Sequence, residues 1–518
     1  MNQLAKMLNT LHNCRFAGGI SASGQTAGFG GNLFTRDTLR VLRDMMHVPD
    51  WQPVIRELLV TLLQWQGDDT VPETNEFPGA LQHQVFRQVI GGLYMPDEQV
   101  ETAKHWTGVW GVPMTSSPQF GEQFVIYNSS DGPPLYLITL AEYCQRHGTN
   151  ILGDRFVHWP SGETRTVGEA VLRLVQYLMT VLDERDQDWI GLYAVPNTNP
   201  KQTSPSGVMR DGWDAYLRPP IKKGGQPEPA DYSMMAYVEN QALVYEALAY
   251  SAPLLFPTHD AVDEWKEAAR CLRERTFELM WLEEERFFAA AYDHDGPVPL
   301  ISSAAFELLN GPFFEGLADA PDYVETLSLR MFSAEFLTPI GLRMTSHRHR
   351  DMEGEEYCAY QGSRAVWGVT NGIVTTGLER WGLHGAANDL GVRMLQWFEA
   401  DGTAREMTFV DDNNWPVLHP DQQTKIRDGQ RLILCPSEIG QPDQAWSASA
   451  AVRRITGRQR YEEPRSGSWQ GKLARDLRAL ASDVRAVGEH IYSPLHFLNT
   501  VRGRQLQEER AARLGLSA

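Results

Sequence analysis

The sequence predicts an all-α protein built as a double ring of helices with long loops gathered on one face. Three observations carry this prediction. Wherever a long periodic segment exists, its apolar residues recur at steps of three and four, the spacing of an amphipathic helix. The helical segments are separated by alternately short and long connections, and the long ones are rich in Gly, Pro and Asp. No self-similarity recurs at a short fixed period, so the chain is not a simple solenoid.

The elements follow in order. A helix is expected over 37–47. Between Trp51 and Gln66 the apolar set Ile55, Leu58, Leu59 and Leu62 lies on one face, and Pro53 falls in the first turn, where a missing N–H costs little. A third helix covers 134–146. Over 166–183, Thr166 is followed three residues on by Glu169, a capping-box pattern, and Val171, Leu174, Val175, Leu178 and Leu182 then share a face opposite Arg173 and Gln176. Further helices are expected over 233–251, 260–281, 367–383, 385–400, 443–455 and 470–486. The long connections are 15–33, 107–133, 186–232, 283–323, 340–362 and 401–442, and loops of that length are unusual unless functional or disordered. Strands should be confined to minor hairpins such as one around 283–301. Past residue 457 the stretch GRQRYEEPRSGSWQG reads as a turn-rich connector and the end of the chain as an Arg- and Glu-rich helical tail. The expected division is therefore a catalytic domain over 1–456 and a helical extension over 457–518, packed on the ring or projecting from it.

Composition narrows the function. The formal charge of -19 repels phosphate backbones and anionic lipid, which argues against nucleic acid and membrane as partners. Five scattered cysteines form no CxxC pair, so neither a zinc cluster nor a disulfide framework is readable. The opening residues lack the apolar core of a signal peptide, and the expected compartment is the cytoplasm. Aromatic content is high, with 15 Trp, 17 Tyr and 20 Phe. Such rings serve as platforms for sugar C–H faces, although most of them belong to the core.

Gly-rich phosphate loops, HExxH pairs and GxSxG elbows are absent. What remains is carboxylates among aromatics. The segment VMRDGWDAYLRPP sets Asp211 and Asp214 around Trp213, with Tyr216 close behind, in the longest loop region. Two nearby acids cannot both ionise cheaply, so one is suited to general acid work; the bland alternative is an acidic turn over a packed Trp. FTRDTL couples Arg36 to Asp37, YNSSDGPP sets Asp131 ahead of a Pro-initiated helix, and VENQ opens a helix with Glu239 and Gln241. REMTFVDDNNW supplies Glu406, Asp411 and Asp412. Taken singly, each of these reads equally as an N-cap or a surface ion pair.

In this order, from Phe34 to Ile455, the segments resemble the glucosidase domain of glycogen-debranching (amylo-α-1,6-glucosidase-like) proteins and the related inverting glucosyl- and mannosylglycerate hydrolases, trehalases and processing α-glucosidases. FTRDTLRVL is similar to the family's RDTL element, and YNSSDGPPLYLITLAEY to its Asp-then-helix segment. MRDGWDAY resembles the acid motif, YQGSRAVWGVTNGIVTTGLERWGL the GSVWP-type helix start without its proline, and PDQAWSASA the closing QAW helix.

The resemblance implies an (α/α)6 toroid, six hairpins of helices, and inversion at the anomeric carbon without metal or organic cofactor. It assigns the proton donor to Asp214, which follows Gly-Trp, with Asp211 as alternative. It assigns the general base to Glu406, with Glu438 as rival. Arg36, Asp37, Asp131, Glu239 and Gln241 would hold sugar hydroxyls, while Trp213, Tyr216 and Trp367 would wall the pocket. The expected substrate is a small α-linked glycoside releasing a hexose, glucose first among candidates. The lack of a preceding debranching or sandwich domain argues against a branched polymer. Arg210, Lys222, Lys223, Arg348 and Arg350 are candidates for a carboxylate on the leaving group, or plain decoration of exposed loops. The chain is also a candidate homo-oligomer. Two rival classes remain: an (α/α)6 epimerase using His347, His349 or His384, and a non-catalytic sugar-binding toroid.

Overall fold

The computed structural model describes residues 3–16, 19–24, 32–86, 89–90, 93–94, 115–117, 121–183, 191–199, 216–218, 228–229, 231, 233–352, 361–410, 416–417, 424–427, 430–433, 442–457 and 468–488. Within these, the chain alternates between two concentric layers. In order come α1 (Gln3–Cys14), α2 (Thr35–Met45), α3 (Gln52–Leu63), α4 (Gly132–His147), α5 (Val167–Asp183), α6 (Val238–Glu246) and α7 (Val262–Met280). A 3-10 helix, Ser303–Asn310, is followed by α8 (Ala320–Met331), α9 (Gly368–Arg380), α10 (His384–Asp401), α11 (Ala445–Thr456) and α12 (Trp469–Gly488).

The inner layer closes on itself. Helix α2 packs on α4, α4 on α6, α6 on the 3-10 helix, that helix on α9, α9 on α11, and α11 back on α2. Helices α1, α3, α5, α7, α8 and α10 surround this ring, which makes an (α/α)6 toroid. Composition explains the layering. In α4 every residue from Gly132 to Ala141 is buried, and so is every residue of α9 from Gly368 to Thr375, as expected of helices covered on all sides. By contrast α5 buries the predicted stripe Val171, Leu174, Val175, Leu178 and Leu182 and leaves Gln176 exposed. Each such aliphatic side chain contributes about 2 kcal/mol of burial. The predicted capping box is formed: Thr166 N donates to Glu169 Oε2 at 2.7 Å and Glu169 N to Thr166 Oγ1 at 3.2 Å.

Glycine sets how tightly the ring closes between α9 and α11. A Cβ on Gly368 would stand 2.6 Å from Ser447 Oγ, and one on Gly372 would stand 2.6 Å from the Cβ of Ala450. The facing helix answers with the small residues of AWSASAA.

The structure corrects the sequence reading in several places. Helices α1 and α8 lie outside the predicted set. The fourth inner member is the 3-10 helix within the stretch assigned to a loop, 283–323. Strands extend beyond hairpins: Asn32–Phe34, Gln84–Phe86, Gly121–Ile126 and Thr115–Ser117 form one antiparallel sheet. Met234–Tyr237 leads into α6 and Ala365–Trp367 into α9, so the helix expected from 233 starts at Val238 instead. The extension beyond 457 includes α12, which packs on α8 and α10, with Arg393 Nη2 donating to Ala481 O at 3.3 Å.

Candidate active site

Hydrogen bonds between neighbouring inner helices gather their N-terminal ends at one mouth of the toroid. Arg36, in the first turn of α2, lies 3.5 Å from Asp131, the N-cap of α4, and 3.9 Å from Asp37. Asn240, in the first turn of α6, donates to Ser130 Oγ at 2.9 Å. Across the ring, Ser303 N donates to Met344 O and Met344 N to Ala365 O, joining the 3-10 helix to the strand before α9. Trp367 and Trp446 meet edge to face at 5.8 Å, and Ala445 N donates to Ala22 O, which closes α11 onto the segment before α2.

Four inner helices direct their N-terminal ends to this mouth. The N-cap residues Phe34, Tyr237, Trp367 and Gln444 make no side-chain cap; the first N–H of α2, α6, α9 and α11 is met instead by the backbone carbonyl of His83, Ala290, Glu406 and Ala22, and the positive ends of the helix dipoles remain at this mouth. Helix N-termini favour negative charge, and carboxylates stand there: Asp37 in α2, Asp131 at α4 and Glu239 in α6, all almost fully buried. Tyr216, wholly buried, donates to Glu239 Oε1 at 3.4 Å and packs against Tyr237 with ring centroids 5.1 Å apart and planes tilted by 53°. Glu406 is 4% exposed and sits where the strand Met407–Val410 pairs with Ala365–Trp367. Its carbonyl accepts from Gly368 N at 3.2 Å, which fixes it beside the first residue of α9.

Three residues absent from the sequence reading join this group. His83 leans edge to face on Phe34 and its carbonyl accepts from Thr35 N. Burial, then the adjacent Arg36 guanidinium, pushes its imidazole down to about 3, so it stays neutral. Beneath Arg36, Arg40 pairs with Glu307 at 3.5 Å, both buried. Arg40, one turn after Arg36, carried a helical-spacing signal; His83 and Glu307 carried none.

Not every predicted residue fits its assigned role. Gln241 corrects the expectation: its amide donates both hydrogens to Tyr193 O and Tyr237 O at 2.9 Å and accepts Tyr193 N at 2.8 Å. Those bonds make it a brace between α6 and the 191–199 segment, with no hydrogen left for a sugar. Trp367 is 1% exposed, so it backs the mouth from beneath rather than presenting a face. Arg348 is committed to Glu285 at 2.8 Å and Glu335 at 3.6 Å, which engages its charge within the protein. His349 accepts from Ile301 N at 3.1 Å through Nε2 and is pushed down to about 4, chiefly by burial; it is a structural acceptor, unlike the proton shuttle an epimerase requires. Asp211, Trp213, Asp214, Glu438, Asp411, Asp412, Arg210, Lys222 and Lys223 lie outside the described residues, as does the side chain of Arg350. No helix among the described residues is long and apolar enough to cross a membrane.

A closed (α/α)6 ring with buried carboxylates at the N-terminal mouth defines the six-hairpin glycosidase class. Residues 136–415, more than half of the chain, match the mannosylglycerate hydrolase MGH1-like glycoside hydrolase domain; the chain belongs to this family and is a glycoside hydrolase. The GH63 mannosylglycerate hydrolase from Thermus thermophilus, in complex with Tris and D-glycerate, is 15% identical, over 87% of this chain and 99% of its own, with a TM-score of 0.53. For the same enzyme in complex with glucose the figures are 16%, 88%, 99% and 0.55. At such identity the likeness speaks for the fold alone. No curated protein matches the sequence.

Proposed function

We propose that this glycosidase acts with inversion on a small α-linked hexoside, with Asp214 as general acid and Glu406 as general base, releasing glucose or a close analogue. The observation that carries the reading is Glu406 itself. Burying a glutamate this deeply is costly, and this one is held by its backbone at the start of α9, at the mouth it shares with Arg36, Asp37, Asp131 and Glu239. The motif GWD supports Asp214 as its opposite number, with Asp211 the alternative, and Glu438 stays the rival base.

In the proposed reaction, Asp214 protonates the glycosidic oxygen as the bond to the anomeric carbon breaks. A water held by Glu406 attacks from the opposite face and gives its proton to that carboxylate. Inversion requires the two carboxyl groups to stand about 6.5–9.5 Å apart, leaving room for the water. Arg36 with Asp37, Asp131 and Glu239 offers one cation and three acceptors for hydroxyls of the departing hexose. The mannosylglycerate hydrolase likeness, together with the D-glycerate and glucose complexes of that enzyme, makes mannosylglycerate and glucosylglycerate the substrates to try first.

The test is NMR observation of the anomer first released, run on wild type beside Asp214→Ala, Glu406→Ala and Glu438→Ala. The expected product is the β-anomer, with kcat lowered about 10²–10⁴-fold in the first two variants. A first-formed α-anomer, or an active Glu406→Ala beside a dead Glu438→Ala, overturns the assignment.

A further inference from the structure

The opposite mouth of the toroid, where the inner helices end, holds a cavity of about 270 Å³. Its walls come from the C-terminal ends of α2 and α4, the middle and last turns of α9 and α11, and Met394 of α10, and four arginines line it: Arg43, Arg146, Arg453 and Arg454. Cations at helix C-termini complement the macrodipole, so their presence alone means little. Their partners decide the matter. Arg43 is engaged by Glu142, with Nη2 and Nε 2.6 and 3.2 Å from Oε1, and Arg454 by Glu379 and Asn388. Arg453 reaches an acid, Asp44, only at 3.9 Å, and that carboxylate already accepts Ser449 Oγ at 2.8 Å. Arg146 is exposed and has no ion-pair partner among the described residues.

Two further observations point at what is missing. Thr375, 6% exposed and lining the same cavity, has a hydroxyl with no hydrogen-bond partner, although its neighbour Thr376 satisfies its own by bonding back to Gly372 O at 3.1 Å. His47, also on the wall, is pushed down by burial first and then by Arg453 and Arg146, so both guanidinium groups bear on one ring. A surplus of cation, an unanswered buried hydroxyl and small residues (Gly372, Ala450, Gly457) between them describe a receptor for a compact acceptor-rich anion.

We propose that this cavity is a binding site for a phosphate-class oxyanion, free or carried on a small sugar, seated between Arg146, Arg453 and Thr375 and remote from the catalytic mouth. It does not depend on the catalytic assignment above.

The experiment is calorimetric titration of the full chain with inorganic phosphate and, separately, with glucose 6-phosphate, at constant ionic strength in chloride buffer. Wild type is compared with Arg146→Gln, Arg453→Gln and Thr375→Val. Saturable binding of phosphate or of the sugar phosphate near one equivalent is expected, weakened about tenfold or more in each arginine variant and several-fold in Thr375→Val. Binding of both probes with equal affinity assigns the site to the free ion; tighter binding of the sugar phosphate assigns it to the carried group. Arg146→Gln touches no protein partner and keeps the wild-type Tm in chloride, so a loss of binding there is not a loss of folding. Absence of saturable binding by either probe, or binding unchanged in the arginine variants, overturns the proposal.

Discussion

Glu246, the last residue of α6, is partly buried, and replacing it with glutamine should stabilise the protein only where the wild-type carboxyl is asked to ionise. Burial, opposed by Arg43 and reinforced by Glu142, raises this carboxyl from about 4.5 to about 7. The sign follows from linkage. Between those two values the unfolded chain releases a proton that the folded chain retains, so stability falls as pH rises and the loss is complete above the folded value. The shift amounts to about 3 kcal/mol at alkaline pH, of which about 1 kcal/mol is already lost at pH 5. Glutamine keeps the neutral shape and removes the titration. The gain from Glu246→Gln should therefore be about 2 kcal/mol larger at pH 8 than at pH 5. A chain of 518 residues unfolds with roughly 1.1 kcal/mol/K of entropy at about 2.1 cal/mol/K per residue, so this difference is about 2 °C in Tm. Scanning fluorimetry of both proteins at the two pH values measures it. An equal gain at both, or a lower Tm for the variant at pH 8, would refute the reasoning.

Two further outcomes can be checked by thermal and urea unfolding. Gln241→Leu removes three hydrogen bonds to backbone groups of Tyr193 and Tyr237 and leaves those groups buried, so it should cost about 2–4 kcal/mol; a cost below about 1 kcal/mol would show that water replaces the amide. Glu307→Gln should cost about 3–5 kcal/mol by stranding Arg40, whereas Arg40→Met combined with Glu307→Leu should cost clearly less than the sum of the two single changes.

Much of the fold was legible because long helices announce themselves twice, by apolar spacing and by caps. In 166–183 the stripe and the Thr166/Glu169 box agree, and the structure has both. The 3-10 helix was not legible. Eight residues give barely two turns of periodicity, and SAAFELLN is buried almost throughout, so no polar face marks it. The strands before α6 and α9 run four and three residues, too short for alternation to register. Helix α8 does carry a signal, with Ala320, Val324, Leu327 and Met331 at helical spacing and Pro321 in the first turn, but the Gly- and Pro-rich run before it has the composition of a loop. At the candidate site, Arg36, Asp37, Asp131 and Glu239 could be seen because each stands at a helix start, where sequence signals concentrate. Glu307 and His83 could not, since their importance arises from Arg40 and Arg36 across the ring, and pairing at that separation leaves no local trace.

The axis of the toroid explains why the candidate site is built as it is. Helix α2 carries Arg36, Arg40 and Arg43, spaced by four and three residues on one stripe, and each meets an acid from another element: Asp131 on α4, Glu307 on the 3-10 helix and Glu142 on α4. Beside the middle pair lies a void of about 10 Å³, bounded by Arg40, Glu239, Glu246 and Glu307, which is room for about one water. An apolar filling of similar volume would be at least as stable, because buried ion pairs rarely repay their desolvation. A ladder of pairs does something apolar packing cannot: it penalises sliding. If α2 shifted by one turn along α4, Arg36 would lose Asp131 and Arg43 would lose Glu142 together; unpairing the buried Arg36 and Asp131 costs several kcal/mol, and the partly exposed Glu142 adds less. The same register sets where Asp37, Asp131 and Glu239 stand at the N-terminal mouth. The ladder thus converts a stability cost along the axis into a fixed spacing of the carboxylates Asp37, Asp131 and Glu239 at its end.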